Sequence, residues 1–244
     1  NDDQPSWVEK AKQSMDKRWL KRILGHISVD RINLLDVGGG TGWMMDLMKS
    51  IDPRIGFTQV VDMDKKAAQK ARAKGHAYYQ GPIETFKARG KFHIVLMFNL
   101  IEHVKDPVKV LQKIQKVMVP GGLLLLKTPN IDSWDARLFR HGNWGGYHCP
   151  RHWVLFDRSS LKKALEKTRL DLHSLTYTQG APFWAQSVMI WLYKRKLIHY
   201  TREKPLVFHP LFPLLSAFFA GFDFLRGIFF RTSQMLVILR KPVK

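Results

Sequence analysis

The stretch Leu34-Leu35-Asp36-Val37-Gly38-Gly39-Gly40-Thr41-Gly42 constrains this chain more than any other. A short apolar run ends in an acid, passes through four glycines, and opens into Trp43-Met44-Met45-Asp46-Leu47-Met48. The pattern predicts a strand over Ile32–Val37, a tight turn, and a helix over Trp43–Lys49. Glycine adopts the left-handed backbone such a turn needs and lets bare main chain approach a ligand. The helix N-terminus adds unpaired N–H groups. The turn therefore predicts a nucleotide-like ligand.

Beyond Lys49 the alternation of strand and helix repeats. Strands are expected at Gly56–Val61, Ala77–Tyr79, Phe92–Phe98, Leu123–Lys127, Leu170–Thr178 and Gln234–Arg240. Helices are expected at Asp64–Ala73, at Asp106–Val117 closed by Pro120-Gly121-Gly122, and at Ser159–Lys167 capped by Asp157. Phe92–Phe98 is an almost unbroken apolar run, as expected of a strand covered on both faces. Strands alternating with helices predict an α/β, doubly wound, seven-stranded, mostly parallel sheet. An N-terminal helix precedes it, with Ser6 and Glu9 as a capping box and Val8, Ala11, Met15, Trp19 and Ile23 at helical spacing. The expected organisation is a helical segment over 1–30, a ligand-binding domain over 31–180 and 232–244, and a helical apolar insertion over 181–231.

That insertion is the least usual part. Trp184–Tyr200 has a helical apolar pattern broken by Lys194-Arg195-Lys196, and Leu206–Phe222 carries no charge. The second run is short of the roughly 20 residues a spanning helix needs and holds Pro210 and Pro213. Three readings stay open: seating on a membrane surface through 184–230, burial against the core, and a homodimer face. The first draws on ten Lys or Arg against two acids from Ala181 to Lys244.

Forty Lys and Arg against 20 acids give a formal charge of +20, which favours acidic metabolites, anionic lipid or nucleic acid, or reflects a generally solvated basic surface. The charge is dispersed and not interleaved with aromatics, so nucleic acid is not favoured. The single cysteine, Cys149, excludes an intramolecular disulfide framework and a cysteine zinc cluster and fits a reducing compartment. No basic-plus-apolar leader precedes the first helix, so a cytoplasmic protein, with the membrane surface as an option, is expected.

Three details narrow the ligand. The turn lacks the Lys-Ser/Thr ending of a triphosphate loop. Asp36, just before the glycines, suits a cationic group and would oppose a pyrophosphate, although it could instead cap the turn backbone. Asp62, after the second strand, is placed to accept from ribose hydroxyls, although it could instead cap the next helix, a task Asp64 could also perform.

Four motifs in order resemble the class I S-adenosyl-L-methionine (AdoMet)-dependent methyltransferases, in the broad group that includes the ubiquinone-biosynthesis O-methyltransferases. They are Leu34–Gly42, Val60–Asp64, Phe98–Pro107 and Val119–Asn130, and Tyr147–Leu170 and Gln234–Pro242 add to them. The resemblance implies a Rossmann-like methyltransferase fold, AdoMet as cofactor and S-adenosyl-L-homocysteine as product. It implies that Gly38, Gly39, Gly40 and Gly42 face the methionine part, with Asp36 near its amino group. Asp62 would take the ribose hydroxyls, Met63 and Ile83 would lie against adenine, and Asn99 and Leu100 would line the cofactor. Glu102 and His103 would begin the acceptor side. Two positions depart from the pattern. Pro82-Ile83 replaces the usual acid and small residue after strand three, and Phe92-His93 replaces Phe-Asp, a change expected to be structural.

Methyl transfer from a sulfonium needs an in-line nucleophile and exclusion of water. A hydroxyl acceptor benefits from a base, and His103, His148 and His152 are the candidates. For His103 the alternative is a hydrogen bond holding the turn. No metal is expected. The long stretch Thr128–Phe156 is a candidate loop or lid, with Gly142, Gly145 and Gly146 as hinges. Its Trp134, Trp144, Tyr147 and Trp153 either wall an acceptor pocket or anchor the loop, and Arg151 could grip an anionic group. The expected activity is methylation, at oxygen, of a lipid-like, quinone-like or glycosyl acceptor. The alternatives are an RNA- or protein-directed methyltransferase and a non-catalytic scaffold.

Overall fold

The computed structural model describes residues 7–199, 201, 205–227 and 229–243, with side chains from residue 14 onward, Met15 excepted. The Ser6–Glu9 capping box and the inward positions Val8, Ala11 and Met15 lie outside the described residues and side chains. The elements run α1 (Trp7–Leu24), β1 (Ile32–Val37), α2 (Trp43–Ile51), β2 (Ile55–Asp62), α3 (Lys65–Ala73), β3 (Ala77–Gln80), β4 (Phe92–Phe98), α4 (Pro107–Val117), β5 (Met118–Pro129), α5 (Trp134–Leu138), α6 (Arg158–Glu166), β6 (Asp171–Thr178), α7 (Ala181–Lys194), α8 (Leu211–Arg226) and β7 (Gln234–Arg240). The strands form one seven-stranded sheet in the order β3-β2-β1-β4-β5-β7-β6. β1 pairs in parallel with β2 and β4, and β2 in parallel with β3; β6 and β7 are antiparallel.

The chain divides into two compact units: Asn1–Met97 with Lys113–Leu124 and Lys241–Lys244, and Phe98–Gln112 with Leu125–Arg240. In the first, β1, β2 and β4 bury nearly all their apolar side chains, with Leu34, Leu35, Val60, Ile94, Val95, Leu96 and Met97 sealed from solvent. Burial on both faces explains why β4 reads as a continuous apolar run. α2 adds Met44, Met45, Leu47 and Met48 from one side of its helix. His93, where the family pattern has Asp, accepts the Asn33 N–H on Nδ1 at 3.0 Å and so ties β4 to β1. Its role is structural, as expected.

One correction concerns Pro120-Gly121-Gly122. These residues do not close a turn after α4, because β5 begins at Met118 and runs through them. Gly121 N–H donates to Lys241 C=O and Lys241 N–H to Gly122 C=O, both at 2.9 Å, so the glycines are consumed in strand pairing. Gly121 has φ 77°, which glycine adopts without strain.

In the second unit, β6 and β7 pair over Asp171–Thr178 and Gln234–Arg240. α7 ends at Lys194, well before Tyr200, because the basic triplet and the left-handed Lys196 (φ 60°) terminate it. A 3-10 turn at Leu206–Phe208 leads to α8, with Pro210 as its N-cap residue and Pro213 in its first turn, where a missing N–H is tolerated. No described helix is long and apolar enough to cross a membrane. The long connection is a closed loop: Asn130 and Phe156 form a parallel bridge at its base, and Ile131 N–H donates to Phe156 C=O at 2.9 Å.

Candidate active site

The glycine turn is built as its sequence demands. Gly38, Gly40 and Gly42 have φ of 80°, 51° and 75°. Gly38 N–H donates to Val61 C=O at 2.8 Å, tying the turn to the end of β2. Gly39 is glycine for another reason: a Cβ there would lie 2.4 Å from the Asp36 carboxyl carbon. A Cβ on Gly40, by contrast, would meet nothing, so bare backbone borders open space at that point. Gly42 rests on the His76 ring, 2.6 Å from where its Cβ would be.

His76 belongs to no motif and does not stand out in the sequence. Buried, it bonds Thr58 Oγ1 through Nδ1 and Asp46 through Nε2, both at 2.8 Å, and Lys74 pairs with the same Asp46 at 2.7 Å. This pillar fixes the N-terminal turn of α2 beneath the glycines. Only its place, directly after the α3 stop at Gly75, could have hinted at it.

Asp62 ends β2 and its carboxylate braces the turn. Oδ2 accepts the Gly40 N–H at 2.9 Å and Oδ1 the Asp64 N–H at 3.0 Å. A carboxylate has about four acceptor directions, so capacity for hydroxyl donors remains. Helix capping falls to Asp64, whose side chain accepts from Lys66 and Ala67 N–H. Met63 and Trp43, beside this turn, are exposed, whereas Ile83 is buried. An open Gly40, an acid with spare acceptor capacity and uncovered apolar surface fit a nucleoside carrying a cationic amino-acid tail.

Asp36 is buried under the turn. Burial, and then the charge of Asp62, push its carboxyl up to about 7. Between the ordinary carboxyl range and pH 7 the folded chain therefore holds a proton that the unfolded chain releases, so this group lowers stability as pH rises through that window. A cationic ligand amino group would favour the ionised form. AdoMet affinity is expected to rise from pH 6 to 8 by several-fold in calorimetric titrations, and Asp36→Asn to flatten that dependence.

The second unit carries the histidines. β4 ends at Phe98, and Asn99 adopts φ 51°; its N–H donates to Lys127 C=O and its Oδ1 accepts from Gln234 Nε2 at 3.0 Å. Asn99 is exposed and Leu100 half-buried. A 3-10 turn, Ile101–His103, then buries Glu102, 1% exposed, and presents His103. Glu102 Oε2 accepts from Thr128 Oγ1 at 3.1 Å, while buried Oε1 has no hydrogen-bond partner. Burial pushes its carboxyl up to about 7. The Glu102 carbonyl accepts the Trp153 N–H at 2.8 Å, which docks the far end of the long loop.

The three histidines gather in one place. Ring centroids lie 4.6 Å apart for His103 and His152, 5.1 Å for His148 and His152, and 6.3 Å for His103 and His148. His103 Nδ1 bonds the Arg151 carbonyl at 3.0 Å and His152 Nδ1 the Gly146 carbonyl at 2.7 Å. A carbonyl only accepts, so both Nδ1 atoms carry hydrogen and both Nε2 atoms keep a lone pair in the neutral rings. Burial and the neighbouring histidines push His152 down to about 4, and burial with Arg151 lowers His148. One ligand atom each from Glu102, His103 and His152 lies within 4.8 Å of the others, a spacing one metal ion could use. The sequence points to no metal there because Glu102 and His152 stand far apart along the chain.

The other acceptor candidates separate. Trp144 is buried and donates Nε1–H to Asp135 at 2.7 Å; Asp135 also accepts from Ser233 Oγ at 2.8 Å. Trp144 anchors the loop and is not offered to a ligand. Tyr147 donates its hydroxyl to Arg140 C=O at 2.9 Å and is half-buried, and Arg151 is exposed. Gly145 and Gly146 are closely packed: a Cβ on Gly145 would run into Phe183 and Gln186, and one on Gly146 into the Trp144 ring. Gly145 N–H also donates to Ser187 Oγ on α7 at 2.8 Å.

A doubly wound sheet whose first strand ends in an acid and a glycine turn, and whose second ends in a turn-bracing acid, is the class I AdoMet-dependent methyltransferase fold. The chain belongs to the methyltransferase domain family, whose model matches residues 8–175. It is similar to the ubiquinone biosynthesis O-methyltransferases of Caulobacter sp. (strain K31), 33% identical over 116 residues, and Bradyrhizobium sp. (strain ORS 278), 35% over 113. Each match covers 43% of this chain and 44% or 42% of the relative, so the chain spans less than half the length of these curated relatives. Among solved structures it resembles a SAM-dependent methyltransferase from Archaeoglobus fulgidus, with a TM-score of 0.57, 16% identity and 94% of each chain covered. It also resembles the N-methyltransferase NodS from Bradyrhizobium japonicum in complex with S-adenosyl-L-homocysteine, with a TM-score of 0.53, 15% identity, and 99% of this chain and 90% of that one covered. At such identities these likenesses show the fold.

Proposed function

We propose that this chain transfers the methyl group of AdoMet to oxygen of a small-molecule acceptor of lipid-like, quinone-like or glycosyl character. The cofactor, when bound, supplies an electrophilic methyl on sulfonium. Gly38–Gly42, Asp36, Asp62 and Met63 would hold it, and the resemblance to the family would have Asn99 and Leu100 line it. Ile83, being buried, would act on adenine only from behind exposed neighbours.

The observation that carries the acceptor side is the tautomer fixed on His103 and His152. In the neutral form each ring keeps its lone pair on Nε2, because its other nitrogen is tied to a carbonyl. His152 stays neutral at physiological pH because burial disfavours its charge. A neutral imidazole can take the acceptor's hydroxyl proton, and the unpartnered Glu102 Oε1 can accept a hydrogen bond from the acceptor or the protonated ring. Arg151 and Tyr147 are the polar groups that would orient an anionic acceptor.

The test uses methyl-labelled AdoMet with a catechol, a long-chain carboxylic acid and a glycoside as probes, reading label in the extracted product. His103→Ala and His152→Ala should lower kcat by about 10²–10⁴-fold while leaving AdoMet affinity intact. Full rates in both variants would overturn the base assignment. A second reading, methylation of RNA, is favoured by the +20 charge and by a crevice of about 370 Å³ lined by Lys87, Arg89, Lys91, Lys113 and Lys116. It predicts RNA retention that falls steeply with salt.

A further inference from the structure

The outer surface of α8 reverses the usual rule for a helix on a globular fold. Its polar side chains point inward: Asp223 and Arg226 are buried, and Ser216 Oγ is enclosed. Its outward side chains are apolar: Leu211, Leu214, Phe218, Phe224 and Leu225 are all exposed, Phe218 to 67%. Leu211, Leu214, Phe218 and Leu225 stand at i, i+3, i+7 and i+14, which is one helical face, with Ala217 and Gly221 filling the gaps. Val207 and Phe208 before the helix and Phe229 and Phe230 after it are exposed as well, Phe208 to 78% and Phe229 to 79%. Isolated exposed apolar residues are ordinary, but a contiguous face of this kind marks an interaction surface.

The inner face of α8 is held by specific contacts. Phe219 stacks on Trp184 of α7 at 4.9 Å, Phe222 meets the same ring edge-on at 5.6 Å, and Asp223 accepts the Gly180 N–H at 2.8 Å. The outward face is therefore fixed in place and not a packing surface awaiting rotation.

We propose that this face lies in the surface of a bilayer rich in anionic phospholipid. Charge complementarity selects that partner. The insertion's exposed charges among the described residues are basic: Lys194, Arg195 and Lys196 stand at the end of α7, and Arg231 before β7 is paired with Asp132. Arg195 stacks over exposed Trp191 at 4.3 Å, and Tyr193 and Leu197 are exposed beside it. An aromatic-and-basic border of this kind suits the headgroup layer. A second copy of the chain fits less well, since it would bring a +20 protein and its basic border against themselves. At 16 residues α8 is about 24 Å long, short for a span and suited to lying in the interface. Membrane seating of this kind does not depend on methyl transfer.

The test is co-sedimentation of the full chain with phosphatidylcholine vesicles with and without phosphatidylglycerol. Binding to the anionic vesicles, weak or absent on pure phosphatidylcholine, is expected. Leu214→Asp with Phe218→Asp should lower it about tenfold or more, with S-adenosyl-L-homocysteine affinity unchanged as the check on folding. Arg195→Glu with Lys196→Glu should weaken binding and reduce its dependence on phosphatidylglycerol. No binding to anionic vesicles overturns the inference, as does equal binding by the wild type and the Leu214→Asp/Phe218→Asp variant. A concentration-dependent dimer abolished by those substitutions, without vesicle binding, overturns it in favour of self-association.

Discussion

Asp62→Ala should abolish measurable binding of AdoMet and S-adenosyl-L-homocysteine, by about 10²-fold or more. Hydrogen bonds to a charged partner contribute about 1.5–3 kcal/mol each, and a ribose would lose two of them. The same substitution frees the Gly40 and Asp64 N–H groups that the carboxylate now holds. A thermal melt of the apo protein separates the two effects: modest destabilisation with lost binding assigns Asp62 to the ligand. Retained affinity, measured by calorimetry, would remove Asp62 from the cofactor site.

Asp223→Ala should be the most damaging single change outside the cofactor turn. Asp223 Oδ1 accepts from Arg226 Nη2 at 2.7 Å, and both side chains are almost fully enclosed. Breaking a buried ion pair by deleting one partner costs about 3–5 kcal/mol, because the other charge is left without compensation. Here the stranded guanidinium already has buried Nε and Nη1 atoms without acceptors, and its stacking over Trp184 at 5.3 Å and Phe222 at 5.4 Å offsets part of that. The substitution also removes the hold on Gly180, the residue before α7. Urea unfolding should show the loss, and Asp223→Leu combined with Arg226→Met should recover much of it. A loss below about 1 kcal/mol would mean that the aromatic rings, and not the carboxylate, secure the arginine.

The sheet was legible because its signals are local. Ile32–Val37, Phe92–Phe98 and Gln234–Arg240 have the predicted bounds, since apolar runs flanked by polar residues specify them without tertiary help. Asp157 capping α6 and Asp64 capping α3 were likewise readable from neighbours three residues away. Pro120-Gly121-Gly122 misled for the opposite reason: a turn-forming composition was overridden by pairing with Lys241, more than a hundred positions on. In the site, the glycines and Asp62 were visible from residue type and spacing. The His76 pillar and the grouping of Glu102 with His152 were not, because each joins residues far apart in the chain whose types say little alone. The insertion's apolar content was plain, but which side of α8 it would face could not be read when polar residues occupy the inner side.

The packing of Gly145 against α7 also governs how the insertion can be studied. Ser187 Oγ bridges the Gly145 N–H and the Phe183 carbonyl, and Lys194 Nζ reaches the Gly142 carbonyl. The loop that ends in His148 and His152 is thus fastened to the helix that α8 covers. Excising 181–231 would strip the support from that loop and expose Trp144, so the truncated chain would lose its histidine geometry together with its apolar face. Such a deletion confounds two properties in one experiment; outward-facing point substitutions on α8 keep them separable.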